Sequence, residues 1–460
     1  MNLQLIANVL WRRRQLRRHD RWTRQQLETH QTRALHSLRE HASAHSPFYQ
    51  QFHRGLLDRP LYDLPVLTKA LLMEHFNELV TDRAVRLRDV EAYLATSPDE
   101  QFLGRYWINA TSGSTGRRGL FLFDIAEWTT VLASYARVYE WGGALPSLTH
   151  RIKMAVVSTT TRWHQSAQVG ATVQSWWTPA LRLDATSPIE EIVKRLNAWQ
   201  PETLVAYAST ADLLAKEQIA GCLRIAPRAV FTASEVLTRP MRERIARAWG
   251  RQPLNVYGAT ESATIAAECN LHHRLHLFED LVITEVVDDH NCSVPPGTPG
   301  VKVLLTVLFS RTQPLIRYEM SDQVQVATSP CPCGRSYACL ETIQGRVEDG
   351  LQLPALTGGW VAVHPNVFHD ILDVLPVNGW QVVQRSDGLH ILLSGEPEGF
   401  ADEALIWTLK QGLTAQGAIP PPVQIERVAA IPRGAVGKAA LIKAELHGVS
   451  ALRLKNGKGK

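Results

Sequence analysis

The chain has 460 residues, more than one hydrophobic core normally serves, so two or three domains are expected. Hydrophobic residues at 45% and charged residues at 20% are ordinary for a globular protein, and no apolar run approaches the about 18–20 residues of a membrane span. The net charge of +5 sits at the ends: residues 1–40 hold nine Arg against Asp20, Glu28 and Glu40, the last ten add +4, and the body is left near −5, which argues against a basic groove for nucleic acid.

The start, "MNLQLIANVLWRRRQLRRHD", puts its apolar stretch before the arginines, the reverse of a secretory signal. It reads as a helix of a cytoplasmic protein with the arginines on a solvated face. Leu27, Ala34, Leu35, Leu38 and Ala42 then make one helical stripe. "PVLTKALLMEHF" (65–76) reads as a helix with Thr68 as its N-cap. In "NATSGSTGRRGLFLFD" (109–124) the tail alternates like a strand, and the spacing is not that of a P-loop. Taken alone, this stretch is equally a surface loop or a hairpin whose N–H groups and hydroxyls cradle an anion, with Arg117 or Arg118 adding charge.

From 150 to 260 the short runs "KMAVVST", "TLVAYA", "RAVFTAS" and "PLNVYG" alternate with the helical "PIEEIVKRLNAW" and "RPMRERIARAWG". Such alternation predicts parallel strands covered by helices. "LVITEVVD" and "VKVLLTVLF" flank the turn-rich "SVPPGTPG" and read as antiparallel strands. Beyond about residue 346 come Gly-rich turns, short strands and one helix near "ADEALIWTLKQGL". The expected fold class is α/β: a large N-terminal domain (1–345) with a helical segment (1–80), helix-covered mixed sheets and a β subdomain, then a small α+β domain (346–460).

Four fragments carry chemistry. "NVYGATESA" places Glu261 after a strand and a glycine turn, where a carboxylate suits Mg²⁺. "LIRYEMSDQV" offers Asp322 to ribose hydroxyls, "QGRVEDG" (344–350) sets Gly–Arg before two acids, and "IPRGAVGKAALIKAE" sets Lys438 behind a glycine turn. Six cysteines are too few for a disulfide framework. Cys331 and Cys333 in "SPCPCGRS", with Cys269 and His276 in "CNLHHRLH", suit tetrahedral Zn²⁺ in a closed, structural site. The alternative is buried thiols beside a surface histidine, and His272 or His273 stands as a substitute for His276. Cys222, Cys292 and Cys339 show no partner pattern and read as ordinary core or loop residues.

In this order and at these separations, the fragments resemble the adenylate-forming superfamily of acyl-CoA synthetases, adenylation domains and luciferases. Within it the chain looks most like the phenylacetate–CoA ligase family, with its relatives in capsule biosynthesis and coenzyme F390 synthesis. The resemblance runs from "HASAHSPFYQQFHRGLL" and "LPVLTKALL" through "FTASEVLT", "VYGATE", "AAECNLHHRLHLFED" and "CPCGRS" to Lys438.

It implies that Thr111, Ser112, Gly113, Ser114, Thr115 and Gly116 grip the ATP phosphates. Ser234, Glu235, Tyr257, Gly258 and Thr260 would surround the nucleotide, Glu261 would serve Mg²⁺, and Asp322 would hold the ribose. Arg346 would contact the nucleotide, Glu348 would be the hinge, and Lys438 would bridge the carboxylate and the nucleotide. The implied activity is ATP-dependent activation of an aryl or small hydrophobic acid as an acyl-adenylate and transfer to coenzyme A, with a structural zinc of the same Cys/His pattern. An amine or a carrier protein is the alternative acceptor, a non-catalytic nucleotide- and zinc-binding scaffold the alternative of another class, and a homodimer an open assembly. Trp163, His164 and Tyr207 fall where the family binds its acyl group, and read equally as core. The sequence departs from the family at "RRG" after Gly116, at Ser321 where glycine is usual, and in a longer "LQLPALTGGWVAV".

Overall fold

The structure, a computed structural model, describes residues 3–96, 101–111, 118–146, 150–173, 176–346, 351–363, 365–397, 400–433 and 441–445. Its N-terminal helix Leu3–His19 lies along the helix Ile125–Trp141, burying Leu5 and Leu16. The expectation of a solvated arginine face holds only in part. Arg13 and Arg17 pair with Glu140 on the neighbouring helix, because the packed face of Leu3–His19 carries them there.

The next helix, Arg24–His45, opens with a capping box between Thr23 and Gln26 and buries Leu27, Leu38 and Ala42 of the expected stripe. Thr68 caps Lys69–Glu74 as expected, its hydroxyl accepting the Leu71 N–H at 3.2 Å.

These helices are pinned by a buried ionic group. Arg137 donates to both carboxylate oxygens of Asp280, at 2.8 and 2.6 Å, with the two side chains 2% and 0% exposed. His19 Nδ1 lies 2.8 Å from the same carboxylate, and His30 Nε2 lies 3.0 Å from the Asp280 carbonyl oxygen. Burial alone would raise the pKa of this carboxyl. The charge and hydrogen bonds of Arg137 and His19 together outweigh it and hold the group well below the usual carboxylate range.

The main sheet has nine strands in the order Asp322–Val326, Cys339–Arg346, Leu275–Leu277, Ala263–Glu268, Leu254–Ala259, Ala229–Ala233, Thr203–Tyr207, Met154–Ser158 and Ala180–Asp184. The last five are mutually parallel, which matches the strand–helix alternation of 150–260. Ala180–Asp184 was not anticipated. It is an edge strand in which Arg182 interrupts the apolar pattern.

The chain leaves Met154–Ser158 through the helix Gln165–Val173 to that edge, then returns through Ile189–Trp199 to Thr203–Tyr207 on the other side. Val169 of the first crossover packs in the core that holds Trp128 and Val131, whereas Ile192 and Leu196 of the second pack with Leu214 and Ile245. The reversal of strand order beside Met154–Ser158 is a topological switch point, where open α/β sheets leave a crevice beyond the strand ends.

Val282–Val287 and Lys302–Val307 pair antiparallel, as expected, and Tyr318–Met320 adds a third strand. Residues after 346 build a separate four-stranded sheet in the order Val423–Arg427, Gly388–Ser394, Gly379–Arg385, Ile442–Ala444, plus the hairpin Leu351–Pro354/Trp360–Val363. The expected helix appears as Asp402–Ala415, joined by Asn366–Leu372, whose seven residues are too few to show a helical period. Phe368, Trp380, Ile391 and Leu409 form their shared core. No helix among the described residues is long and apolar enough to cross a membrane.

Candidate functional site

The hydroxyl-rich stretch is flanked by two paired strands. Trp107–Ala110 and Leu120–Phe123 pair antiparallel, and the neck closes where the Gly119 N–H donates to Thr111 Oγ1 at 2.8 Å and the Thr111 N–H donates to the Gly119 carbonyl at 3.0 Å. Ser112, Gly113, Ser114, Thr115, Gly116 and Arg117 lie outside the described residues. Arg118 sits 5.4 Å over the Trp163 ring, and the Trp163 carbonyl accepts the Ala110 N–H at 2.9 Å.

Tyr318 connects this hairpin to the "YGATE" turn. Phe121 meets its ring edge-on at 5.9 Å, and its hydroxyl donates to Glu261 Oε1 at 3.4 Å. Two segments 140 residues apart in sequence therefore meet across one tyrosine.

The turn itself is tight. A Cβ on Gly258 would come within 2.9 Å of the Ala263 carbonyl oxygen, and Ala263 holds φ at +77°. Ser234, in the adjacent strand-end turn, also has a positive φ, +68°. Left-handed backbone at non-glycine residues costs energy and recurs where a site needs a particular shape. The Ser234 turn abuts the far end of the sheet, since a Cβ on Gly345 (φ +104°) would lie 3.6 Å from Val236 Cγ2.

Side-chain contacts lock these ends together. Glu235 Oε2 accepts the Ser209 N–H at 2.8 Å. Gln165 donates to the Thr260 carbonyl at 3.3 Å and accepts from the Tyr135 hydroxyl at 3.0 Å. The Thr159 N–H donates to the Tyr207 hydroxyl at 3.0 Å, joining the two strand ends at the switch point. Tyr257 and His164 are buried close by in sequence.

Asp322 is buried and faces Arg346 directly across the antiparallel ladder. Ser321 has no positive φ, so the loss of glycine there costs nothing in the backbone. The Arg346 side chain, Glu348 and Lys438 lie outside the described residues.

Cys269, His276, Cys331 and Cys333 bring one donor atom each to within 4.8 Å of one another, a set able to hold a metal ion. Cys269 Sγ and Cys331 Sγ are 3.8 Å apart, and Cys333 Sγ lies 3.4 Å from His276 Nε2. His276 is thus the histidine of the cluster, buried at its centre. Cys339, which showed no partner pattern in sequence, places its Sγ 3.6 Å from the other ring nitrogen, His276 Nδ1. The ladder does this by pairing Cys339 directly with His276. Burial pushes the Cys331 thiol up to about 12, while in Cys269 burial is outweighed by hydrogen bonds from His276 and from the His272, Arg274 and Leu271 backbone acting together, which bring it down to about 5.

No family model matches the chain. It is 28% identical over 208 residues to a phenylacetate–coenzyme A ligase of Thermus thermophilus, covering 43% of this chain and 45% of that protein. The chain thus spans under half the length of that relative. It is 24% identical over 322 residues to a fumarate–(S)-2,3-diaminopropanoate ligase of Enterobacter agglomerans, covering 67% of this chain and 72% of that one. Among solved structures it superposes on 2-hydroxyisobutyryl-CoA ligase in the postadenylation state with a TM-score of 0.74, at 18% identity, over 95% of this chain and 93% of that one. Against the same ligase in its thioesterification state the TM-score is 0.60.

The fold is that of the adenylate-forming CoA ligases. In sequence, part of the chain is similar to a phenylacetate–CoA ligase.

Proposed function

We propose that the chain is an ATP-dependent acid–thiol ligase that joins a carboxylate to AMP and passes the acyl group to coenzyme A. The observation that carries this reading is the Tyr318 bridge, which brings the neck of the hydroxyl-rich hairpin to the Glu261 turn at the ends of the parallel strands. A triphosphate held by that hairpin is then within reach of the Glu261 carboxylate, which suits Mg²⁺.

A carboxylate is a poor electrophile. Its oxygen attacks the α-phosphorus, the bond to the pyrophosphate oxygen breaks, and the acid leaves as an acyl-adenylate. Alignment and charge neutralisation dominate such a displacement. Thr111 to Gly116 would hold the phosphates, Ser234, Glu235, Tyr257, Gly258 and Thr260 the base, and Asp322 with Arg346 the sugar side. Mg²⁺, when bound, would neutralise phosphate charge. A thiol sulfur then attacks the acyl carbon, the bond to AMP breaks, and the thiol proton passes to solvent.

Residues 346–460 would form the mobile small domain, pivoting at Glu348. Arg433 donates to Thr210 Oγ1 at 3.0 Å, and Lys216 donates to the Val377 and Asn378 carbonyls at 3.0 and 2.8 Å. Arg433, in the segment leading to Lys438, thus meets the helix Ala208–Ile219, in keeping with the better superposition on the postadenylation state.

Zinc fits the donor cluster. Tetrahedral Zn²⁺ with Zn–S of about 2.3 Å and Zn–N of about 2.0–2.1 Å sets its ligands about 3.8 Å (S–S) and about 3.6 Å (S–N) apart. The 3.8 and 3.4 Å separations match. Four protein ligands leave no open position, so the ion would be structural.

A second reading, transfer to an amine, is favoured by the fumarate–diaminopropanoate ligase likeness, which covers more of the chain than the phenylacetate relative does. Trapping acyl-adenylates with hydroxylamine across an acid panel tests activation, and comparing coenzyme A, amines and a pantetheinylated carrier tests transfer. Hydroxamate formation without any thioester would reject the CoA assignment.

Lys438→Ala is expected to slow adenylation by about 10²–10³-fold while largely sparing transfer from a preformed acyl-adenylate, because the lysine's charge serves only the first step. Equal loss of both half-reactions would refute that role. Glu261→Ala is expected to raise the Mg-ATP requirement severalfold in pyrophosphate-release assays; an unchanged Mg²⁺ titration would remove the metal from this turn.

A further inference from the structure

Between the helices Leu87–Thr96 and Gln165–Val173 lies a cavity of 550 Å³. That is the size of a small-molecule site. Tyr93, Tyr106 and Trp163 give it aromatic walls, and Arg162, Arg182 and Gln168 give it polar ones. No acidic side chain lines it among the described residues. The nearest carboxylate along the edge strand, Asp184, is taken up by the Thr160 and Thr186 hydroxyls and amides.

Two features show that Arg182 is built into this place. It stands on the strand Ala180–Asp184, paired with Val156, where burial lowers its pKa from the usual arginine value. Across from it the helix Gln165–Val173 carries glycine: a Cβ on Gly170 would sit 3.4 Å from Arg182 Nε. Glycine inside a helix costs up to about 1 kcal/mol relative to alanine. The Arg182 guanidinium packs on the helix surface at this glycine, at ordinary contact distance.

The cavity also starts beside the nucleotide side of the molecule. Trp163 is the residue whose carbonyl holds Ala110 at the hairpin neck and whose ring takes Arg118. Thr160, another lining residue, follows the strand Met154–Ser158 at the switch point. Trp163 therefore touches both the hairpin neck and the cavity.

Resting on the ligase reading above, we infer that the acid this protein activates carries a second anionic group on a flat or apolar tail, and that Arg182 reads that group in this cavity. The pairing of a planar guanidinium with a carboxylate or phosphate gives this both charge and geometry. It narrows the expectation of an aryl or small hydrophobic acid to one with an anionic far end.

The test compares matched acids, phenylacetate against 4-carboxyphenylacetate and butanoate against butanedioate, by hydroxylamine trapping with the full chain. Wild type is expected to favour the diacid of each pair by at least about tenfold in kcat/KM. Arg182→Gln is expected to raise KM for the diacids about 10–100-fold and leave the monoacids nearly unchanged. Arg182→Lys, which keeps the charge, should recover part of the loss, and melting temperatures of all variants control for folding.

Preference for the monoacids, or equal loss on both members of a pair, would overturn the inference. So would an Arg182→Gln variant that activates every acid normally but shows a raised KM for coenzyme A, since the cavity would then serve acceptor phosphates. Absence of hydroxamate with every acid would instead reject the ligase reading. In that event the melting temperature decides the cavity by itself. Stabilisation of wild type but not Arg182→Gln by a diacid, without ATP, supports it, and no differential shift overturns it.

Discussion

Asp280→Ala is expected to destabilise the protein by about 3 kcal/mol, because it takes both short hydrogen bonds from the Arg137 guanidinium, only 2% exposed, and leaves it the Asp20 carboxylate at 3.5 Å as its remaining counter-charge. The fall in the urea midpoint measures it. Three elements lose their anchor together: the helix Leu3–His19 through His19, the helix Arg24–His45 through His30, and the helix Ile125–Trp141 through Arg137. Asp280→Ala/Arg137→Met should recover part of the loss, since removing both charges also removes the penalty of burying one alone.

The effect has a pH signature. The folded carboxyl has a depressed pKa, so its stabilisation is complete above the unfolded value of about 4 and is lost as pH falls toward the folded value. The gap between wild type and Asp280→Ala is therefore full at pH 7 and narrows in acid. A gap that widened below pH 4 would mean that Asp280 is not held as the anion.

Removing the metal site should act on the same region. Wild type is expected to carry about one zinc per chain, and Cys331→Ser/Cys333→Ser to carry almost none, read by elemental analysis and by zinc release to a chelator. The consequence reaches the N-terminal helices. The segment after Cys333 supplies the Ala338 N–H to Glu279 Oε2 at 2.6 Å and the Ser336 hydroxyl to the Trp22 carbonyl at 2.6 Å, and Glu279 in turn accepts from Arg24 at 2.8 Å. Loss of the ion should therefore speed amide exchange in residues 3–45 as well as around 327–339. Cys339→Ala is expected to keep the zinc but bind it about 10–100-fold more weakly, because the thiol no longer orients the His276 ring through Nδ1. Wild-type protein without zinc, indifferent to chelator, would remove the ion from this cluster.

Much of the scaffold is legible from local pattern. The strand after the 109–119 loop, the strands named within 150–260 and the cap at Thr68 are written in residues a few positions apart, so short-range sterics and hydrogen bonding decide them. The Cys/His cluster is legible too, since thiols and imidazoles at metal spacing are rare enough to stand out, even though the sheet register brings them together. Ala180–Asp184 is not legible because Arg182 breaks its apolar run. Cys339 looked ordinary because its partner is 63 positions away, across a ladder.

The amino-acid order alone determined where strands, helices and tight turns form, and which residue types were available for phosphate, metal and carboxylate chemistry. Those are properties of neighbouring residues and of side-chain chemistry. Only the folded chain decided that Tyr318 ties the hairpin to Glu261, that Asp280 collects three helices, and that Arg182 and Arg162 share a cavity with Trp163. Each of these joins residues from separate elements, and their distances follow from how the helices cover the sheet, which no local pattern records.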